Sequence, residues 1–423
     1  MRKKVLDSVL VCFLVVLFGT GYATGASICS ADKLQQSGSV YRICMPPAGE
    51  YNGSVVIWAH GFQDAGTPVH IPEEQLEFGD VSIPGLINQL GFGFATNSYS
   101  KTGLAVRQGM ADILDLVTLY TEQQGAPEHV YLVGASEGGL ITTLLVEQRP
   151  ETFNAGLAVC GPVGDFPLQI NYFGDARVTF QYFFPSVIPG NIFAPSDALV
   201  ANWSNYYTDV VQPAVFAPAN RHLLDQWVRV ARLPFDPERY LETVGVSVRD
   251  VLRYAVVNLK DVARTLGGFP FDNRTRRYSG SDNDLLLNLR VLRRSAAASA
   301  VQEMRAHYNT TGRLQRPLIT LHTLRDQQVP YLHEVLYDLK TLVNGSFLID
   351  HVNIPVNRFG HCNVTATEAV GAFALMLLYA GDQELLLSRL DTVLSSLDLE
   401  VFARLAQQYG IPSPSAHGGG ISR

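Results

Sequence analysis

The sequence predicts an α/β protein with a mostly parallel central sheet and a large, mainly helical insertion. Short apolar runs of buried-strand length alternate with helix-period segments between residues 39 and 160. The alternation stops between about 161 and 313, where helical stretches follow one another, and it resumes at Pro317. Strands alternating with helices over short connections favour a parallel sheet covered on both faces. Composition agrees with a folded chain that has a sizeable core: 47% of the 423 residues are hydrophobic and 17% are charged.

The first residues are patterned like an export signal. Arg2, Lys3 and Lys4 precede the apolar run Val9 to Leu17, and small residues follow at Gly21, Ala23, Thr24 and Ala26. That order predicts a signal peptide over residues 1–26, and hence a secreted or periplasmic protein. A membrane anchor is the alternative, but the run is shorter than a comfortable bilayer span and no basic stop-transfer cluster follows it. No stable membrane span is expected after cleavage. Cys12 leaves with the signal, and Cys29, Cys44, Cys160 and Cys362 remain. Four cysteines in an exported protein can pair in three ways. A local Cys29–Cys44 bridge is the simplest choice and leaves Cys160 for Cys362. Asn52, Asn202, Asn273, Asn309, Asn344 and Asn363 each begin an Asn-x-Ser/Thr sequon, an acceptor for glycans in a eukaryotic host.

Strands are expected at Ser39 to Met45, Ser54 to His60, Phe92 to Tyr99, His129 to Val133 and Gly156 to Cys160. Helical patterns lie between them, around Leu86 to Leu90, over Leu104 to Tyr120 and from about Gly138 to Gln148. Later strands are expected at Pro317 to Thr323 and, shorter, at Ser346 to Ile349. Thr365 and Glu368 occupy capping-box positions at the start of a helix, and an amphipathic helix is expected from about Asp382 to Gln408. The predicted organisation is a catalytic domain over 27–164 and 309–410, a helical cap over 165–308 and a flexible tail over 411–423. The cap is rich in aromatics, among them Tyr172, Phe173, Phe180, Trp203 and Trp227.

The strongest chemical signal is Gly134-Ala135-Ser136-Glu137-Gly138. It joins a predicted strand to a predicted helix, where a tight turn needs small flanking residues and holds the serine oxygen above the sheet. Ser136 is therefore the expected nucleophile. His60-Gly61-Phe62 follows an earlier strand. The N–H of Gly61 or Phe62, together with that of Glu137, is expected to form an oxyanion hole. Asp326, just after the strand ending at Thr323, is the expected acid, with Asp350 as its competitor. His361, in the loop before the capped helix, is the expected base. His60, His322 and His351 are read as structural. The order Ser136, Asp326, His361 suits hydrolysis through an acyl-enzyme.

These motifs together resemble the α/β-hydrolase superfamily, over roughly Ser39 to Gln408. Asn97-Ser98-Tyr99-Ser100, Gln108-Gly109-Met110-Ala111-Asp112 and Phe359-Gly360-His361-Cys362 are similar to secreted prolyl-oligopeptidase-like and depolymerase-like serine hydrolases. A weaker likeness links Cys362, directly after the expected base, to tannases and feruloyl esterases. Those enzymes pair it with a cysteine before the serine, where this chain has Ala135.

Several function classes are excluded or disfavoured. The net charge is −7, and the only basic cluster, at Arg274, Arg276 and Arg277, is short. No nucleic-acid partner is expected, because no basic stretch could neutralise a run of phosphates. There is no H-E-x-x-H, no zinc-like cysteine–histidine spacing and no phosphate-binding glycine loop, so neither metal nor cofactor is expected. The expected substrate is a small-molecule or polymeric ester with an apolar or aromatic part. Peptide or amide hydrolysis is the alternative.

Overall fold

The structure, a computed structural model, describes residues 28–79, 81–382 and 384–385. The expected signal peptide, most of the helix expected from Asp382 and the tail over 411–423 lie outside the described residues. Seven principal strands form the sheet: β1 (Val40–Met45), β2 (Val55–Ala59), β3 (Gly93–Asn97), β4 (Val130–Ala135), β5 (Ala155–Val159), β6 (Leu318–Arg325) and β7 (His351–Phe359). Their spatial order is β1-β3-β2-β4-β5-β6-β7. Only the β1–β3 pairing is antiparallel among these; the rest are parallel. Ile28–Cys29 and Lys33–Leu34 add short antiparallel pairings to β1. Strands β2, β3 and β5 are buried at every residue. Their unbroken apolar runs follow from a sheet covered on both faces.

Helices α1 (Ile83–Gln89), α2 (Val106–Gln124) and α3 (Glu137–Gln148) alternate with the first strands. Ile113, Leu116, Leu140 and Leu144 of α2 and α3 fill one face of the sheet. Ile83 and Ile87 of α1 share the other face with Val370 and Phe373 of a late helix. The helical insertion begins at α4 (Phe166–Phe183), continues through α5 (Arg221–Ala231), α6 (Tyr240–Val257) and α7 (Leu259–Thr265), and ends at α8 (Ala298–His307). It has a core of its own, with Phe180, Trp227, Val244 and Val251 fully enclosed. After β6 come α9 (Leu332–Val343) and, beyond β7, α10 (Ala366–Ala380). The capping box is formed: Thr365 accepts from the Glu368 N–H, and the Glu368 carboxylate accepts from the Thr365 N–H.

One expected element is misplaced. The last strand is not Ser346 to Ile349 but His351–Phe359, which pairs in parallel with β6 from Leu318 onward. This edge strand carries Pro355 and the polar Asn353, Asn357 and Arg358. A strand with one neighbour tolerates proline and outward polar side chains, which hides its apolar pattern. Residues Ser346 to Ile349 instead form the turn that leads into it, with the Ile349 and Asp350 N–H groups donating to the Ser346 carbonyl. Helix α9 had no sequence expectation.

Both cysteine pairs form: Cys29 with Cys44, and Cys160 with Cys362 across 202 residues. Cys29 and Cys44 are register partners in the antiparallel ladder. Of the sequon asparagines, Asn202 is exposed, whereas Asn273 is 1% exposed and donates its amide to Tyr278 and the Leu292 carbonyl. Among the described residues no helix is long and apolar enough to cross a membrane.

Candidate active site

Ser136 stands where β4 turns into α3, with φ 57° and ψ −119°. Such a conformation strains any residue with a side chain and persists only where packing enforces it. The enforcement is visible in the flanking glycines. A Cβ at Gly138 would lie 2.0 Å from the Ala59 carbonyl oxygen, and one at Gly134 would lie 2.4 Å from the Gly138 carbonyl oxygen. Strand, turn and helix approach too closely for any larger residue.

His361 follows β7, and its Nε2 lies 2.9 Å from Ser136 Oγ. Its Nδ1 donates to Asp326 Oδ2 at 2.8 Å. The histidine loop is held from three sides. Thr323 on β6 donates to the Gly360 carbonyl at 2.6 Å, Arg358 pairs with Glu368 at 2.9 Å, and Cys362 is bonded to Cys160 at the end of β5. Asp326 is fully buried, and its Oδ1 accepts from the Gln328 and Val329 N–H groups at 2.8 Å each. Asp350, the competing acid, sits at the wrong end of β7. Nine strand residues span roughly 30 Å, and His361 lies beyond the other end.

Burial works against a charge on Asp326, but His361 and His322 outweigh it and hold the carboxyl well below its usual range. His322 is a participant the sequence did not single out as functional. Fully buried on β6, it donates from Nδ1 to Glu334 Oε1 at 2.9 Å and from Nε2 to the Val329 carbonyl at 3.0 Å. Nε2 also lies 3.4 Å from Asp326 Oδ2. Burial pushes its pKa down, yet hydrogen bonds to the two carboxylates prevail and raise it to about 10. No local sequence signal marks this group, because Glu334 arrives from α9.

The oxyanion expectation changes in one respect. The Gly61 N–H donates to Gln75 Oε1 at 2.6 Å and is not available. The Phe62 and Glu137 N–H groups meet no protein acceptor among the described residues. His60 serves its loop: it stacks on Tyr99 at 3.9 Å between centroids, and burial pushes its pKa down to about 4. The Glu137 carboxyl turns away into the protein and accepts from the Ala105 N–H at 2.8 Å; burial pushes it up to about 8.

The insertion rests on the loops of this site. Tyr254 on α6 meets the Phe62 ring at 5.5 Å and donates to Gln328 at 3.0 Å, two residues past Asp326. Asp250 accepts from both Gln327 and Gln328, at 2.8 and 2.9 Å. Asn258 and Arg253 bind Asp64, and Asp261 accepts from the Leu104 N–H at 2.9 Å. Among the described residues, Cys160, His361 and Cys362 form a group of metal-ligand type. Both sulfurs are committed to a disulfide there, which removes the thiolates a metal would need.

The sheet order, the strained serine turn and the hydrogen-bonded Ser–His–Asp series are those of an α/β-hydrolase fold. Residues 89–166, from the end of α1 to the start of α4, match the family model of the prolyl oligopeptidase family. No curated protein matches the sequence. Among solved structures, the chain is similar to Candida antarctica lipase A in its closed state, with 16% identity, a TM-score of 0.41, and 83% of this chain and 76% of that one covered. Pyrococcus horikoshii acylaminoacyl peptidase gives 11% identity and a TM-score of 0.41, over 89% of this chain and 43% of that one. Est1E from Butyrivibrio proteoclasticus gives 13% and 0.37, over 86% and 99%.

Proposed function

We propose that the chain is a secreted serine hydrolase that cleaves carboxylic esters with an apolar or aromatic part. The observation that carries the reading is the unbroken hydrogen-bond series from Ser136 through His361 to Asp326. Ser136 attacks the ester carbonyl while His361 Nε2 takes its proton. Asp326 holds the ring so that Nε2 faces the serine and supports the imidazolium that forms. The Phe62 and Glu137 N–H groups stabilise the developing oxyanion. His361 returns the proton to the leaving alcohol, and a water then releases the acyl group by the same steps in reverse. The Tyr254, Phe62 and Phe173 rings over these loops favour apolar groups on the substrate. Two disulfides suit an oxidising compartment, in keeping with the signal-like residues 1–26.

Peptide hydrolysis is the second reading, favoured by the match of residues 89–166 to the prolyl oligopeptidase family. A panel of acyl esters of graded length, aryl esters and short unblocked peptides separates the two. Ester turnover abolished by Ser136→Ala, without amine release from the peptides, supports the first reading. Amine release at a kcat/KM exceeding that for every ester overturns it.

A further inference from the structure

The insertion contains a pocket that the triad does not use. Its walls come from α4, α6, α7 and the segments around Phe193 and Phe271, and they enclose a cavity of about 50 Å³ that is partly open to solvent. The lining is apolar apart from one charged group, Arg177. Arg177 is 4% exposed. Its side-chain partner is Gln181 at 3.2 Å, with the Phe180 ring 6.0 Å away. Among the described residues no carboxylate pairs with it, and the neighbouring Asp175 is taken by Arg276 and Tyr278. Burial lowers its pKa to about 10 with no anion to offset the effect. A guanidinium offers five N–H donors and stays charged. Burying one without a counter-charge destabilises the fold, and such groups are normally paired. This one faces a cavity instead.

The pocket also has a direction. Phe173 and Arg177 are four residues apart on α4 and so share one helix face. Phe173 stacks on Tyr254 at 4.8 Å, and Tyr254 meets Phe62, whose N–H is one of the two donors assigned above to the oxyanion. Phe173 and Tyr254 both line the pocket and Phe62 touches Tyr254, so the pocket wall adjoins the oxyanion loop, and Arg177 lies one helical turn beyond Phe173. On the ester-hydrolase reading above, we propose that this pocket receives the acyl part of the substrate. Arg177 pairs with a carboxylate at the far end of that chain, so the preferred substrates are esters whose apolar acyl group ends in an anion. The guanidinium supplies bidentate, charge-assisted bonds that a neutral chain cannot use.

Two measurements test this. In the first, 4-nitrophenyl hemiesters of six- and eight-carbon dicarboxylic acids are compared with the neutral alkanoates of equal length. The wild-type protein is expected to favour the hemiesters, and Arg177→Met to lower their kcat/KM relative to the neutral esters by about 10- to 100-fold, chiefly through KM. Arg177→Lys keeps part of the preference. A hemiester-to-neutral ratio that moves less than twofold in Arg177→Met overturns the proposal. In the second, octanoate is added to the Ser136→Ala protein and its melting temperature followed. A rise that is absent from Ser136→Ala/Arg177→Met supports the pocket, and no rise in Ser136→Ala refutes it. If the wild-type protein cleaves none of these esters, the ester reading fails, and the octanoate measurement still decides whether Arg177 holds a carboxylate. Replacing an unpaired buried cation by an apolar side chain of similar length is expected not to lower the melting temperature, so Arg177→Met remains a folded test.

Discussion

Both ring nitrogens of His322 face acceptors: the Glu334 carboxylate on one side, the Val329 carbonyl and Asp326 on the other. A neutral imidazole has one donor and cannot serve both sides. The geometry therefore asks for the imidazolium, and the pKa near 10 follows. Its charge sits between two carboxylates that are themselves fully buried, so the acid of the triad keeps its negative charge without water around it. Asp326→Asn is expected to leave a folded protein and lower turnover by about 10⁴-fold, the loss that the same change causes in serine proteases. Steady-state kinetics with circular dichroism checks both halves, and near-wild-type turnover would move the acid role elsewhere. His322→Gln removes the central charge and is expected to cost about 3–5 kcal/mol, as breaking a buried ion pair does; urea unfolding at pH 7 measures it. Ser136, Asp326 and His361 were legible because each sits at a strand end within a recognisable local string. His322 was not, since its meaning comes from Glu334, twelve residues on in a helix with no sequence expectation.

Strand β7 shows the same limit one level up. An edge strand needs only one apolar face, and Pro355 costs it no ladder bond on its open side, so its residues read as a loop. The buried parallel strands β2, β3 and β5 were legible for the opposite reason, because they are enclosed on both faces. The elbow was legible through its glycines, each of which stands where a Cβ would enter a neighbouring backbone. At this scale the Cys160–Cys362 bond matters most, because it ties the end of β5 to the loop that carries His361. Closing 202 residues should stabilise the fold by roughly 5 kcal/mol on chain entropy alone, a model-dependent figure. Its local effect on the base is expected to be felt first. In the Cys160→Ser/Cys362→Ser protein kcat should fall while circular dichroism at 25 °C stays native. A variant that loses stability yet keeps full kcat would make the bond purely structural.

Across the whole molecule, the insertion joins the loops after β2, β3 and β6 into one hydrogen-bonded assembly, through Asp64, Leu104 and Gln327–Gln328. Glu137 lies beneath that assembly. Its carboxyl and the His322 ring both bind a proton more tightly when folded, at about 8 against 4.5 and about 10 against 6.5. Stability from each is therefore complete below the unfolded value and is lost as pH rises through the folded one. Below pH 6.5 His60, which burial keeps neutral in the folded protein, offsets the Glu137 effect, so chemical denaturation is expected to show stability falling from about pH 6.5 to pH 10. Glu137→Gln should flatten the lower half of that decline and His322→Gln the upper half. A rise in stability over the same range would contradict both assignments. The central claim remains that this fold exists to activate one serine. Its most direct test is to treat the native protein with a fluorophosphonate and map the adduct by peptide mass spectrometry. A single adduct on Ser136, formed in step with loss of ester turnover and absent from a folded Ser136→Ala protein, is the predicted result. An adduct on any other residue, or full ester turnover in Ser136→Ala, would contradict the account.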